Sequence, residues 1–194
     1  MKLKNETLSK NFLIYGFGKS GISSLKYLKK KNRCFIFDDD KKKIKNKYKK
    51  FFISKSKLLN NNFDYIVISP GININRCQLS NYLKKNQKKV ITDFDIFYKF
   101  NPEVLTITIT GTNGKSTTSK LLYDILKKHN YDTRLTGNIG NPILEEKRIT
   151  KNTIFVIEAS SYQLAYSKYF KSKFSIIINT VSYTHLRAHE TDLN

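Results

Sequence analysis

Short apolar runs recur along the chain, each closed by glycine, proline or acidic residues, and between them apolar residues fall three or four apart. NFLIYGFG, starting at Asn11, reads as a buried strand entering a glycine turn, and SGISSLKYLKKKN as a helix with Ile22, Leu25 and Leu28 at helical spacing. RCFIFDDD is a second buried strand ended by acids, and FDYIVISPGI a third, stopped at Ser69-Pro70-Gly71. The charged stretch KKKIKNKYKKFF is compatible with helix or loop. Residues 75–86 are expected to be helical with Leu79, Tyr82 and Leu83 inward, and KKVITDFDIF to hold a short strand.

Asn101-Pro102 breaks the rhythm, which places a boundary between two units at residues 93–102. EVLTITITG then reads as a strand and KSTTSKLLYDILKKHN as a helix with Leu121, Leu122, Ile125 and Leu126 as its apolar stripe. TRLTGNIG turns at Gly137-Asn138, NTIFVIEASS is a strand, YQLAYSKYF is helical, and FSIIINT is a last strand. Strands alternating with helices predict an α/β fold: parallel sheets with helices on both faces.

Two glycine-bearing turns carry candidate chemistry. In ITITGTNGKSTTSKLL a strand, a loop and a helix follow one another. Gly111 and Gly114 let the loop turn tightly, its backbone with Thr112 and Asn113 approaches phosphate, Lys115 reaches the β- and γ-phosphates, and Ser116 or Thr117 offers a hydroxyl to Mg²⁺. The strict GxxxxGK[ST] spacing is not met, because Ile109 stands where the first glycine belongs. Earlier, Gly16-Phe17-Gly18-Lys19-Ser20-Gly21 is a full GxGxxG between strand and helix, with Asp38 at the end of the next strand. Alone, this motif predicts a dinucleotide-binding domain with Asp38 on a ribose hydroxyl, and an NAD-binding oxidoreductase is the competing function.

Composition changes this picture little. The net charge of +21 comes from lysines scattered over the whole chain, and the asparagine content is also high. An AT-rich genome yields that excess, and no nucleic-acid-binding motif accompanies the basic runs, so neither nucleic acid nor membrane is expected as a partner. No long apolar run or signal-peptide pattern is present, and Cys34 and Cys77 form no metal spacing. Both thiols are expected to be reduced and the protein cytoplasmic.

GTNGKST, GNIG at 137–140 and IEASSYQL at 157–164 together resemble the Mur ligase and folylpolyglutamate synthetase superfamily. The resemblance implies a Rossmann-like parallel-sheet domain over residues 1–95, then a truncated P-loop-type α/β ATP-binding domain over residues 96–181. The segment Glu158-Ala159-Ser160-Ser161-Tyr162-Gln163-Leu164 is most similar to the member of the family that adds D-glutamate to UDP-N-acetylmuramoyl-L-alanine in peptidoglycan synthesis, through an acyl phosphate. Another Mur ligase or a folylpolyglutamate synthetase is the nearest alternative. By resemblance, Lys115 is catalytic, Gly111–Thr117 hold ATP, and Ser116 and Glu158 hold Mg²⁺. Gly18, Lys19, Ser20, Asp38, Asp39, Ser69, Gly71, Asn138 and Ser160 are expected at the UDP-substrate, and the protein is expected to be a monomer. The resemblance covers residues about 10–179. From Ser182 the chain departs from the family pattern, so 182–194 reads as a non-native tail, His185 and His189 as tail residues, and the chain as written is expected to lack ligase activity and to expose apolar surface.

Overall fold

The computed structural model describes residues 9–40, 42 and 44–180, so the 182–194 tail lies outside the described residues. The elements are β1 (Asn11–Tyr15), α1 (Lys19–Leu28), β2 (Arg33–Phe37), α2 (Lys55–Leu59), β3 (Tyr65–Ile68), α3 (Ser80–Lys85), β4 (Val90–Ile91) and α4 (Asp93–Phe100). They continue with β5 (Leu105–Thr110), α5 (Lys115–Lys128), β6 (Thr133–Gly137), β7 (Ile154–Glu158), α6 (Ser161–Tyr166) and β8 (Phe174–Ile177). Two four-stranded sheets form, in the orders β2-β1-β3-β4 and β6-β7-β5-β8, and every pairing is parallel. The α/β class read from the alternating pattern is therefore the observed one. The central strands are apolar on both faces, as parallel sheets demand: Phe12 to Tyr15 and Ile154 to Ile157 are all buried.

The two sheets share a core. One buried cluster joins Phe12 and Ile14 of the first sheet and Leu25 of α1 to Phe155 and Ile157 of the second sheet and the following Ala159, with Phe97 of α4 in the same cluster. The Phe97 and Phe155 rings lie 4.7 Å apart. A 3₁₀ turn at Ile143–Glu145 packs on α1 and α4, and both Ile143 and Leu144 are buried there.

Three stretches carry detail that the sequence pattern does not give. The 93–102 stretch, read as a boundary, is helix α4 as far as Phe100. Thr92 caps it by accepting from the Asp95 N–H, and the Asp95 carboxylate accepts from the Thr92 N–H. Asp95 also accepts from the N–H groups of Tyr169 at 2.6 Å and Phe170 at 3.0 Å, which ties α4 to the chain after α6. The predicted 75–86 helix is only α3, because Asn73 closes a local turn by accepting from the Asn75 N–H, although Leu79 and Leu83 do face inward. The charged 3₁₀ turn at Asn46–Phe51 is followed by α2, which is capped by Ser54.

The α5 stripe is corrected. Leu121 is 59% and Ile125 47% exposed, and Ser119 is the residue of α5 that is fully buried. The inward face follows Lys115, Ser119, Leu122 and Leu126, so Leu121 and Ile125 lie one row round the helix, facing solvent. On the sheet edge, β8 exposes Phe174 at 61% and Ile177 at 66%, in line with the expected apolar surface.

Candidate functional site

The first site is a cleft of about 520 Å³ built from both units. Its floor is the turn after β1. Gly16 has φ +89°, and its carbonyl accepts from the Ser69 hydroxyl at 2.6 Å. Gly18 caps α1 without a side-chain hydrogen bond, so the first-turn N–H groups remain open to an anion. Gly18, Lys19, Ser20, Asp38, Asp39, Ser69 and Gly71, the residues expected at the UDP-substrate, line the cleft, and Asn138, Ile139 and Pro142 line it from the other unit.

The two aspartates do more than face a ligand. Asp38 is buried, and its carboxylate accepts from the Phe17 N–H at 2.6 Å and the Asp40 N–H at 2.9 Å, so it shapes the glycine turn from below. Asp39 accepts from the Tyr15 hydroxyl at 2.7 Å. Asp38 thus has both oxygens engaged by backbone, which weakens the ribose role that an NAD reading would give it.

Asp93 was not foreseen. It lines the cleft, is 5% exposed and accepts from the Ser20 hydroxyl at 2.5 Å. Its one sequence signal was the Thr92-x-x-Asp95 capping pattern around it. Burial raises its pKa above the ordinary carboxylate range, against the lowering effect of the Ser20 bond. The folded chain therefore holds this proton more tightly than the unfolded chain. Its contribution to stability is full below the ordinary carboxylate pKa and is lost as pH rises through the folded value. Asp93→Asn is accordingly expected to gain stability over the parent at neutral pH and to lose that advantage in acid, measured by urea unfolding at both pH values. A variant that weakens on going from acid to neutral pH relative to the parent would show a charged, stabilising carboxylate instead.

The second site lies along the carboxyl ends of β6, β7 and β5. Glu158, the last residue of β7, pairs in register with Gly137 of β6 on one side and Ile109 of β5 on the other. The Asn138 N–H donates to the Glu158 carbonyl at 3.0 Å. Gly137 is required here: its φ is +106°, and a Cβ would sit 2.1 Å from the Glu158 carbonyl oxygen. Glu158 is 4% exposed, and its buried Oε2 has no hydrogen-bond partner. An orphaned carboxylate oxygen at a strand end suits a hard cation such as Mg²⁺. Among the described residues no cluster of three His, Cys, Asp or Glu forms, so a cation there would need hydroxyl, water or phosphate ligands as well.

The predicted ATP segment runs from Gly111, just after β5, to Thr117 in the first turn of α5. Gly114, with φ +80°, caps α5 and has no side-chain cap bond, so the helix N-terminus is open. Lys115 Nζ donates to the carbonyls of Gly111 at 2.7 Å and Thr112 at 2.9 Å. Thr112, Asn113, Ser116 and Thr117 are exposed. Ser160 caps α6, in a reciprocal box with Gln163, and is not among the residues lining the cleft.

Residues 109–194 match the Mur ligase middle domain. The chain is 35% identical over 195 residues to UDP-N-acetylmuramoylalanine–D-glutamate ligase of Caldicellulosiruptor bescii, which covers 94% of this chain and 42% of that protein. The chain belongs to the Mur ligase family. The Rickettsia bellii enzyme of the same name is 34% identical over 184 residues, 93% of this chain and 40% of its own length. The chain thus spans about two fifths of the length of the curated relatives it matches. Among solved structures, UDP-N-acetylmuramate-alanine ligase from Thermotoga maritima aligns with TM-score 0.50 at 16% identity over 96% of this chain and 44% of that one. UDP-N-acetylmuramate:L-alanyl-gamma-D-glutamyl-meso-diaminopimelate ligase from Neisseria meningitides also aligns at 0.50, with 11% identity over 90% of this chain and 61% of that one. These likenesses establish the fold. No described helix is long and apolar enough to cross a membrane.

Proposed function

We propose that this chain carries the UDP-substrate cleft and the ATP loop of a cytoplasmic, monomeric ligase that adds D-glutamate to UDP-N-acetylmuramoyl-L-alanine, with ATP and Mg²⁺ and no nucleic-acid or membrane partner. The observation that carries this reading is the place of Glu158. It stands in register between the strand leading to the phosphate loop and the strand leading to the cleft turn at Asn138. Neighbouring parallel strands lie about 4.8 Å apart, so the loop and the cleft turn are roughly 10 Å from one another across Glu158. A γ-phosphoryl group held at the loop and a substrate carboxylate held at the cleft turn can meet within such a gap.

The bound nucleotide supplies a γ-phosphoryl group to the substrate carboxylate, and the amine of D-glutamate displaces phosphate from the resulting acyl phosphate. The work of this chain is positional and electrostatic. Lys115 and the open N–H groups of α5 offset charge on the β- and γ-phosphates. Ser116 and Glu158 would hold the cation, whose charge would offset that of the phosphates. Gly18, Lys19 and Ser20 cradle the diphosphate at the N-terminus of α1, while Asp38 and Ser69 keep the glycine turn in shape. Asn138 reaches the substrate from the opposite wall.

Calorimetric titration of the chain tests the reading. Magnesium-ATP and UDP-N-acetylmuramoyl-L-alanine are each expected to bind, and NAD to bind neither site. Preference for NAD over the UDP-substrate would overturn it and favour the dinucleotide alternative.

A further inference from the structure

The ladder between β5 and β8 continues beyond the strands themselves. The Ile178 N–H donates to the Thr110 carbonyl at 3.0 Å, and the Thr112 N–H lies 3.3 Å from the Asn179 carbonyl oxygen. The Asn179 side chain then grips the loop. Its Oδ1 accepts from the Thr112 N–H at 2.9 Å and the Asn113 N–H at 3.0 Å, and its Nδ2 donates to the Asn113 carbonyl at 3.1 Å. The backbones are in close contact as well: a Cβ on Gly111, whose φ is +149°, would meet the Asn179 oxygen at 3.1 Å and nitrogen at 3.2 Å. Ile178 covers Gly114 in the same way, with Cγ2 3.8 Å from a Cβ placed there.

The polar groups of the loop are thereby divided. The N–H groups of Thr112 and Asn113 are committed to Asn179, and the carbonyls of Gly111 and Thr112 face the Lys115 ammonium. The first-turn N–H groups of α5 have no side-chain cap, so they are the donors left for a ligand.

We propose that Asn179 is a positioning residue of the phosphate site: its carboxamide holds residues 111–113 in the curve that presents Lys115 and the α5 N-terminus to the phosphates. The proposal rests on the reading of Gly111–Thr117 as the ATP loop. Few side chains fit the task. A carboxamide of this length accepts twice and donates once in one plane. Aspartate keeps the acceptors but sets a charged oxygen against the Asn113 carbonyl, and alanine removes all three bonds.

The test uses the 194-residue chain and three variants, Asn179→Ala, Asn179→Asp and Lys115→Ala, titrated with magnesium-ATP and with inorganic tripolyphosphate. The two Asn179 variants are expected to bind both ligands about tenfold or more weakly, the size of one or two lost hydrogen bonds. In Asn179→Ala the ¹⁵N amide resonances of Thr112 and Asn113 are expected to move and to lose protection from exchange, a signature that general destabilisation would not confine to those two residues. If Asn179→Ala unfolds, the near-isosteric Asn179→Asp carries the test. Either variant folding and binding tripolyphosphate as tightly as the parent, while Lys115→Ala has lost it, overturns the role of Asn179 alone. A parent chain whose binding of magnesium-ATP is absent or insensitive to Lys115→Ala overturns the ATP reading and this proposal together.

Discussion

Lys115→Ala is expected to raise the Kd of the chain for magnesium-ATP about 100-fold or more while leaving its melting temperature nearly unchanged. The ammonium group lies at the mouth of an open helix N-terminus and is held by two loop carbonyls at 2.7 and 2.9 Å. Those carbonyls are poorer partners for an ammonium than a phosphate is, since charge-assisted hydrogen bonds contribute roughly 1.5–3 kcal/mol. Losing one or two of them costs about 3 kcal/mol, which is a factor of about 100 in affinity. Folding depends little on the same nitrogen, because its partners are exposed loop groups rather than core. Lys115→Arg is expected to restore only part of the binding, as a planar fork does not fit the space of a compact ammonium. Titration calorimetry measures the first quantity and differential scanning calorimetry the second. Unchanged affinity in Lys115→Ala would show that phosphates do not bind at this loop.

Gly21→Val is expected to cause the largest loss of stability of any single change at the glycine motif, about 3 kcal/mol or more. A Cβ at Gly21 would lie 2.1 Å from the Gly16 carbonyl oxygen and 3.1 Å from its carbon, both backbone atoms. Relief requires α1 to move away from β1, which opens the core around Leu25 and Leu28. For a chain of this size each kcal/mol lowers the melting temperature by roughly 2–4 °C, so a fall of about 6–12 °C is expected. Gly18→Ala is the matched control: a Cβ there meets nothing within 4 Å, and φ is −80°. Its melting point is expected to stay within about 2 °C of the parent. Equal melting points for the two variants would mean that the close approach of α1 to the β1 turn is not under steric control.

Strands were the most legible elements in the sequence. The runs NFLIY, RCFIF, YIVI and IFVIE are apolar on both faces because parallel strands are buried on both, and each ends in a residue that cannot continue it. The two glycine motifs were equally plain, since a turn that must pass close to backbone leaves few alternatives to glycine. Helices were harder. In α5 four apolar residues suggested one stripe, but neighbours one position apart point about 100° apart, and the small residue Ser119 took the buried row. α4 was hidden because TDFDIFYKF mixes acids with aromatics, and its start is fixed by a side-chain cap that also serves the far segment at Tyr169 and Phe170. Long-range partnerships left no local trace at all. The backbone bonds that Asp38 and Ser160 accept leave no mark in one dimension, and nothing near Thr112 announces that Asn179 will bond to it.

β7, from Ile154 to Glu158, is sealed on both faces. Every one of its five residues is buried, so no alternation of polar and apolar side chains tells it which face is which. A slip of one position against β5 and β6 would leave the aliphatic contacts much as they are but would turn Glu158 to the opposite face of the sheet. There the carboxylate would enter apolar packing at a cost of several kcal/mol. The acid whose buried oxygen has no hydrogen-bond partner is thus also the residue that tells its own strand where to stop sliding, so one side chain sets the alignment of the sheet.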